Sequence, residues 1–424
     1  LLNINSDYKM FNIDNVIKIS KVFKKKKSID TTKLLNYLSK KNKHKHIALL
    51  ETANYLNLLG ERSQAKELYK KAIEHNRNYS EAHNKLGLIH RVEDKLDSSE
   101  QNFINAIRAN SKNSDAYHNL GNIYKEKKKY LKAIKCYETV VSLHKKYNIV
   151  RKNNLVKPVV SLAKLLECIY FQKGLKAYLR KLKLISKDYD SDIRISTMST
   201  YVCSKHKIRN PYKFCEKPLD FFYSINLKDK LLNKGVNTKK LLKICSQLKE
   251  IWEPSARVTR GGFQTIDNLF EKNIKEIKIL KKFINEEIKK FKFENSAKTD
   301  LIITKWPKKY NIRAWFVKLL KQGYQKSHIH PTAWLSGVFY LNVPKNLINN
   351  QGAIKLALQG YDYPKYKKMQ KIIFNPRNYD LVIFPSSLFH STIPFISNNK
   401  RCVIPFDIVP VKYFKKYSKE QIYF

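Results

Sequence analysis

Three histidines in the C-terminal half of the chain have the spacing of a metal site. His328 and His330 are separated by one residue, and the one later histidine is His390, at the end of an apolar run that begins at Leu381. Because side chains alternate across a β-strand, a strand through this region would place His328 and His330 on the same face. Imidazole is the commonest protein ligand for metals. The spacing therefore predicts a metal site built by a close histidine pair and a distal histidine.

A cationic side chain follows the third histidine. Arg401 lies eleven positions after His390, at the start of the apolar run 402–406. An arginine inside an apolar strand needs an anionic partner, because burying an unpaired charge is costly. Guanidinium binds a carboxylate through two parallel hydrogen bonds. The order of histidine pair, distal histidine and arginine indicates a non-haem iron site beside an anion-binding cation.

The surrounding sequence predicts the elements that hold these side chains. Apolar runs typical of buried strands dominate from Ala314 onwards, including 335–341 and 381–390. Upstream, Pro211, Pro218 and Pro254 interrupt the helical periodicity. The periodicity predicts that a helix returns at 273–292.

These motifs resemble those of the 2-oxoglutarate and Fe(II)-dependent oxygenases, whose common pattern is HxD, a distal His, and then a Lys or Arg. A narrower resemblance is to a group of such oxygenases with the signature HxHP, LSGVxY, FPSxxxH and R. It is matched here by the segments that begin at His328, Leu335 and Phe384, and by Arg401. The resemblance covers residues 205–412.

The resemblance implies a double-stranded β-helix (jelly roll) with flanking helices at 205–412, and Fe(II), 2-oxoglutarate and O2 as cofactor and cosubstrates. It also implies the roles of single residues. The metal ligands would be His328, His330 and His390, the cosubstrate-binding residues Arg401 and Tyr340, and the candidate pocket residues Ser336 and Trp334. Strand packing for Ser336 and core packing for Trp334 stay open as alternatives.

One position departs from the family pattern. His330 stands where the wider family has an aspartate. Either His330 binds iron as a third nitrogen ligand, or it lies behind the metal and water takes its place. A cupin site for zinc or manganese is a further alternative, although Trp334 stands where cupins usually carry a glutamate. Val403 replaces a serine that related enzymes often have, which leaves Arg401 and Tyr340 to bind the carboxylate.

A second signal is an internal repeat of 34 residues. The segment SEAHNKLG at 80–87 recurs as SDAYHNLG at 114–121, and small and aromatic residues downstream repeat with the same period. The pattern resembles the tetratricopeptide repeat, a pair of helices that pack closely through small residues. About three repeats are predicted at 46–147. Stacked repeats would form an α-helical solenoid whose concave face suits a peptide; a rigid spacer or a dimerisation element is the alternative.

The remaining segments complete the predicted domain organisation. We expect a basic, partly helical lead-in at 1–45, a helical cap or degenerate repeat at 148–204, and a C-terminal tail at 413–424. The chain begins with Leu1 rather than Met, so we expect that the natural N-terminus lies upstream.

Composition excludes several classes of protein. The formal charge is +49, but lysine is spread along the whole chain with Asn, Ile and Tyr, which argues against a localised nucleic-acid-binding face. The six cysteines form no CxxC pair, so the pattern favours the reducing cytoplasm over a disulfide framework. Apolar runs are shorter than the roughly 20 residues of a membrane span, and no signal peptide is visible.

These patterns together predict a multidomain α + β protein. The expected function is a 2-oxoglutarate-dependent dioxygenase that hydroxylates a protein side chain recruited by the repeats. A small molecule or a glycan precursor is the alternative substrate. A non-catalytic repeat scaffold or interaction protein is the alternative function.

Overall fold

The computed structural model describes residues 36, 44–147, 158–254, 257–361 and 363–411. The chain divides into two compact units, with the boundary between Leu179 and Arg180. The predicted tail at 413–424 and all but three residues of the predicted lead-in at 1–45 lie outside the described residues. In the part of the chain that is described, no helix is long and apolar enough to span a bilayer.

The first unit consists of helix pairs that repeat every 34 residues. Its repeating helices are α1 (Lys45–Leu59), α2 (Arg62–His75), α3 (Ser80–Val92), α4 (Leu96–Ala109), α5 (Ser114–Glu126) and α6 (Tyr130–Tyr147). A further helix, α7 (Pro158–Ile185), begins in this unit, runs past its boundary at Leu179 and is interrupted at Gly174, where φ is 75° and ψ is −172°. This arrangement confirms the predicted tetratricopeptide solenoid.

Glycine in the first helix of a pair allows an aromatic ring from the second helix to approach. A methyl group on Gly87 would lie 2.7 Å from the ring of Phe103, and one on Gly121 would lie 2.7 Å from the ring of Tyr137. Both rings are fully buried. The two contacts are 34 residues apart, so the repeat in the sequence is a repeat of this close helix approach.

The turn within each helix pair repeats as well. Gly60, Asp94 and Lys128 follow one another at 34-residue intervals and have φ values of 91°, 59° and 57°. Each residue lies between the two helices of its pair, where a left-handed residue ends the first helix and reverses the chain. The period therefore fixes backbone conformation as well as packing.

The second unit contains two antiparallel sheets. Its strands are β1 (Tyr223–Asn226), β2 (Glu250–Trp252), β3 (Thr259–Thr265), β4 (Tyr310–Ala314), β5 (Val317–Gln325), β6 (Leu335–Asn342), β7 (Ile354–Ala357), β8 (Lys371–Phe374), β9 (Asp380–Pro385), β10 (Phe389–Thr392) and β11 (Arg401–Pro410). The larger sheet has the order β1-β9-β6-β11-β5-β3-β2, with β4 also paired to β11, and the smaller sheet has the order β10-β7-β8.

Helices flank the two sheets. They are α8 (Ile193–His206), α9 (Lys228–Leu232), α10 (Thr238–Ser246), α11 (Lys275–Glu294) and α12 (Leu301–Thr304), with short 3-10 helices at Pro218–Phe221 and Leu269–Glu271. The helix predicted at 273–292 is α11. Two facing antiparallel sheets with flanking helices confirm the predicted jelly roll.

Buried side chains from both sheets form one core. Val317, Val338 and Tyr340 of the larger sheet pack with Leu356 of the smaller sheet. Strand β6 is buried along almost its whole length because α10 packs on it as well. Burial on both faces explains why its sequence is continuously apolar rather than alternating.

The structure differs from the predicted strands in two places. The apolar run 381–390 is two strands, β9 and β10, which belong to different sheets; between them the Leu388 N–H donates to the Pro385 carbonyl at 3.0 Å. Strands also begin earlier than Ala314, at β1, β2, β3 and β4. The first three are short or contain glycine, so they lack a clear apolar pattern.

Candidate metal site

The three predicted histidines lie together at the junction of the two sheets. His328 and His390 form an isolated antiparallel pair in which each backbone N–H donates to the other carbonyl, at 3.1 and 3.0 Å. The ring centroids of His328 and His390 are 4.1 Å apart, and that of His330 lies 5.0 and 4.9 Å from them. One ring nitrogen of each histidine lies within 4.8 Å of the others. This set can hold a metal ion.

The backbone differs from the predicted strand at this point. His328 and His330 lie between β5 and β6, outside both strands. A turn begins at Pro331, which has no N–H to donate to a strand partner. The two imidazoles nevertheless point to one place, so their convergence depends on the His328–His390 pairing rather than on a regular strand.

Hydrogen bonds at Nδ1 fix which ring nitrogen is free. His328 Nδ1 lies 2.7 Å from the Lys326 carbonyl, and His390 Nδ1 lies 3.1 Å from the Leu388 carbonyl. A carbonyl oxygen only accepts, so Nδ1 carries the proton in both rings. The lone pair of each neutral ring is therefore on Nε2. Metal-binding histidines commonly have this arrangement.

The environment of two of these histidines favours their neutral form. Burial lowers the pKa of His328 to about 3, and the neighbouring His330 acts in the same direction. Burial also holds the pKa of His390 well below its ordinary value. Because imidazole must be neutral to bind a metal, both rings are ready to bind at neutral pH.

A carboxylate lies behind His330. Asp407 Oδ1 accepts a hydrogen bond from His330 Nδ1 at 2.5 Å and another from Ser336 Oγ at 2.7 Å. Ser336 Oγ also lies 2.8 Å from Ser386 Oγ. Ser336 thus belongs to a polar network beside the site, in addition to its place in β6. Sequence reasoning missed Asp407 and Ser386.

Arg401 is buried with no anionic partner among the residues that the structure describes. Its side chain is 2% exposed, and its Nε donates to the Gly352 carbonyl at 2.9 Å. Its guanidinium carbon lies 5.2 Å from the centre of the Tyr340 ring. Arg401 Nη1 and the Tyr340 hydroxyl are both buried, and neither has a hydrogen-bond partner among the described residues. Burial lowers the pKa of Arg401 and raises the pKa of Tyr340 to about 12.

The histidines, Arg401 and Tyr340 line one cavity. Ser336, Trp315, Gln325 and Thr392 lie on its wall as well. The indole Nε1 of Trp315 is buried and finds no acceptor within the described structure. Sequence analysis did not identify Trp315, Gln325 or Thr392; the alternation of side chains along β5 and β10 carries a weak signal for the last two.

Trp334 does not line this cavity, so its prediction as a pocket residue is corrected. Its side chain is 5% exposed. Its Nε1 donates to the Ile302 carbonyl at 2.8 Å, and its ring packs edge-on against Phe214 at 5.0 Å. Trp334 is therefore a core residue, packed between Ile302 and Phe214.

Family models match both units. Residues 313–407 match the family described as "Putative 2OG-Fe(II) oxygenase", and residues 114–147 match the tetratricopeptide repeat. The first range includes the three histidines, Tyr340, Arg401 and Asp407. No curated protein matches the chain.

Several solved structures are similar to part of the chain. YrrB, described as a TPR protein with an unusual peptide-binding site, is 17% identical over 41% of this chain and 84% of its own, with a TM-score of 0.34. MamA is 21% identical over 36% and 87%, with a TM-score of 0.28. PilF of Pseudomonas aeruginosa is 14% identical over 46% and 84%, with a TM-score of 0.34.

The helix pairs and the family match at 114–147 identify the repeat module, and the jelly roll and the match at 313–407 identify the second unit. The chain thus combines a segment that matches the tetratricopeptide repeat with a segment that matches the model described as a 2OG-Fe(II) oxygenase.

Proposed function

We propose that the second unit is an Fe(II)- and 2-oxoglutarate-dependent dioxygenase, with His328, His330 and His390 as metal ligands. The observation that carries this proposal is the buried guanidinium of Arg401 in the same cavity as the three imidazoles, with its Nη1 lacking a hydrogen-bond partner among the described residues. A cupin metal site or a scaffold does not require a buried cation. A dicarboxylate cosubstrate would supply an anion for this cation.

The residues of the chain divide the work of binding. Bound iron, with 2-oxoglutarate and O2, supplies the oxidising chemistry that hydroxylates a C–H bond. The free Nε2 atoms of the three histidines would hold the metal. Arg401 and the Tyr340 hydroxyl would bind a carboxylate of the cosubstrate and so orient it. The Trp315 ring, 5.7 Å from that of His330, lies on the wall of the same cavity.

The test is metal-dependent succinate formation. Protein purified without oxygen is supplied with Fe(II) and 2-oxoglutarate, and succinate is measured after O2 is admitted. We expect succinate from the parent and from the exposed control His206→Ala, and none from His390→Ala. Binding of zinc or manganese without 2-oxoglutarate turnover would favour the cupin alternative. Absence of both metal binding and turnover would favour a scaffold.

We also propose that the substrate is a protein side chain recruited by the repeats. The support is the solenoid in the same chain, because stacked helix pairs present a surface suited to an extended polypeptide. The full chain is assayed with a polypeptide fraction and with a small-molecule fraction of the same extract. We expect the polypeptide fraction to stimulate succinate formation and to contain peptides that gain one oxygen atom. Stimulation by the small-molecule fraction alone would point to a metabolite or a glycan precursor.

A further inference from the structure

The proposed metal site has no carboxylate among its ligands, yet a carboxylate lies directly behind one of them. Asp407 accepts a 2.5 Å hydrogen bond from His330 Nδ1, and their side chains are only 13% and 16% exposed. In the usual iron site of this kind, a carboxylate ligand reduces the net charge of the metal centre. Three neutral imidazoles would leave the full charge of the ion in a partly buried place.

The position of Asp407 is fixed by β11 and by two serines. Side chains alternate along β11, so Arg401, Val403 and Asp407 face the same side of the sheet. The Ser336 hydroxyl donates to the same carboxylate oxygen as His330 and is itself held by the Ser386 hydroxyl at 2.8 Å. Ser336 and Ser386 are almost fully buried. A carboxylate held this firmly also holds the His330 ring with Nε2 towards the other two histidines.

We propose that Asp407 is the carboxylate of the metal site and that it is a positioning residue, acting through His330. An aspartate ligand would give its negative charge to the metal directly, whereas Asp407 gives it through the imidazole of His330. This inference rests on the proposed function. It explains how histidine can replace aspartate at position 330, because the charge removed from the ligand is restored one hydrogen bond away. It also requires that His330 binds the metal, rather than lying behind it with water in its place.

Asp407 also interacts electrostatically with two arginines, and a test must separate its effect on them from its effect on the metal site. Burial lowers the pKa of Arg257 and of Arg313, and the negative charge of Asp407 opposes both shifts. Removing that charge could therefore reduce stability without any effect on a metal. Thermal unfolding alone cannot distinguish the two roles, and metal affinity must be measured on folded protein.

The experiment compares Asp407→Asn in two backgrounds, with the full chain and Co(II) as the metal probe. Asparagine keeps the shape and one acceptor oxygen but removes the charge. In the parent, we expect Asp407→Asn to weaken Co(II) binding about 10- to 100-fold, the usual effect of losing such a partner. In His330→Asp, where the ligand itself carries the charge, the same change should leave Co(II) affinity unchanged or improve it, because it removes a neighbouring like charge.

Two further measurements keep the result decisive. The Fe(III)/Fe(II) potential should rise in Asp407→Asn, since less negative charge favours Fe(II); a purely structural role would leave it unchanged. Ser336→Ala removes a hydrogen bond that holds Asp407 but not its charge, so we expect a loss of Co(II) affinity smaller than that in Asp407→Asn. If Asp407→Asn does not fold, this variant still tests the inference, because an affinity equal to that of the parent would overturn it.

The outcomes separate this inference from the proposed function. Equal losses of Co(II) affinity from Asp407→Asn in both backgrounds would overturn it, as would a loss in Ser336→Ala as large as that in Asp407→Asn. Tight Co(II) binding by the parent and equally tight binding by Asp407→Asn would overturn this inference alone. A parent that binds neither Co(II) nor Fe(II) would overturn the proposed function and this inference with it.

Discussion

Replacing Arg401 with methionine should have opposite effects on stability and on cosubstrate binding. The side chain is 2% exposed, and its Nη1 has no partner among the residues described. An uncompensated buried charge costs about 3–5 kcal/mol. Methionine has similar length and no charge, but it leaves the Gly352 carbonyl without its 2.9 Å hydrogen bond, at a cost of about 1–3 kcal/mol. The free energy of unfolding of the ligand-free unit should therefore rise, by about 2 kcal/mol from these two terms.

Binding of 2-oxoglutarate should change in the other direction. Removing one partner of a buried charge pair costs about 2–5 kcal/mol, which corresponds to a roughly 30- to 4,000-fold weaker Kd. Bound Fe(II) should be retained, because Arg401 is not among the side chains that can hold the metal.

The sequence makes both assays specific for the second unit. All four tryptophans of the chain, at 252, 306, 315 and 334, lie in that unit. Urea unfolding followed by tryptophan fluorescence therefore reports on it without a contribution from the repeats. Calorimetric titration with 2-oxoglutarate on the Fe(II)-loaded protein gives the Kd.

The matched control is Lys400→Met, which removes a positive charge from the exposed neighbouring position. It should change neither the Kd nor the unfolding midpoint appreciably. A less stable Arg401→Met variant with an unchanged Kd would refute the assignment of Arg401 as the cosubstrate clamp. It would show that Arg401 has a structural partner.

Three other predictions follow from the described contacts. His390→Ala should abolish Fe(II) binding measured by metal analysis, whereas the exposed His206→Ala should retain it. Gly121→Ala should destabilise the repeats by about 1–3 kcal/mol, seen as a lower helix-unfolding midpoint, because its methyl group would lie 2.7 Å from the Tyr137 ring. Burial lowers the pKa of His328 to about 3. Below about pH 6.5 this histidine therefore takes up a proton in the unfolded chain but not in the folded chain. The metal-free second unit should thus lose stability as pH falls from about 6.5 towards 3, and equal urea midpoints at pH 7 and pH 5 would contradict this.

The repeats could be predicted in detail because their contacts are close in sequence. Gly87 and Phe103 are 16 residues apart, and the same pair recurs as Gly121 and Tyr137. A local contact that recurs leaves a period in the sequence. The jelly roll lacks such a period: β1 pairs with β9, for example through Asn226 and Asp380, and no local pattern specifies a partner so distant.

Some residues of the site could likewise be predicted from local sequence, whereas others could not. His328, His390 and Arg401 could be identified because their residue types are unusual in apolar surroundings. Asp407 was missed although it shares a face of β11 with Arg401, since its partner His330 is 77 residues away. The prediction of a strand through His328 and His330 was wrong. The two rings converge because His328 pairs with His390, and only the folded chain brings these two residues together.

The placement of the site at the junction of the sheets has an energetic consequence. Arg401 and Tyr340 belong to the larger sheet and His390 to the smaller one, while His328 joins the second sheet through two backbone hydrogen bonds. A ligand that binds only the folded state stabilises that state according to its concentration and Kd. A metal held by His328 and His390, and a dicarboxylate that reaches Arg401, would therefore stabilise the packing of one sheet against the other. If Arg401 binds the cosubstrate as proposed, the buried positive charge that weakens the ligand-free unit would also make the stability of that unit depend on the cosubstrate.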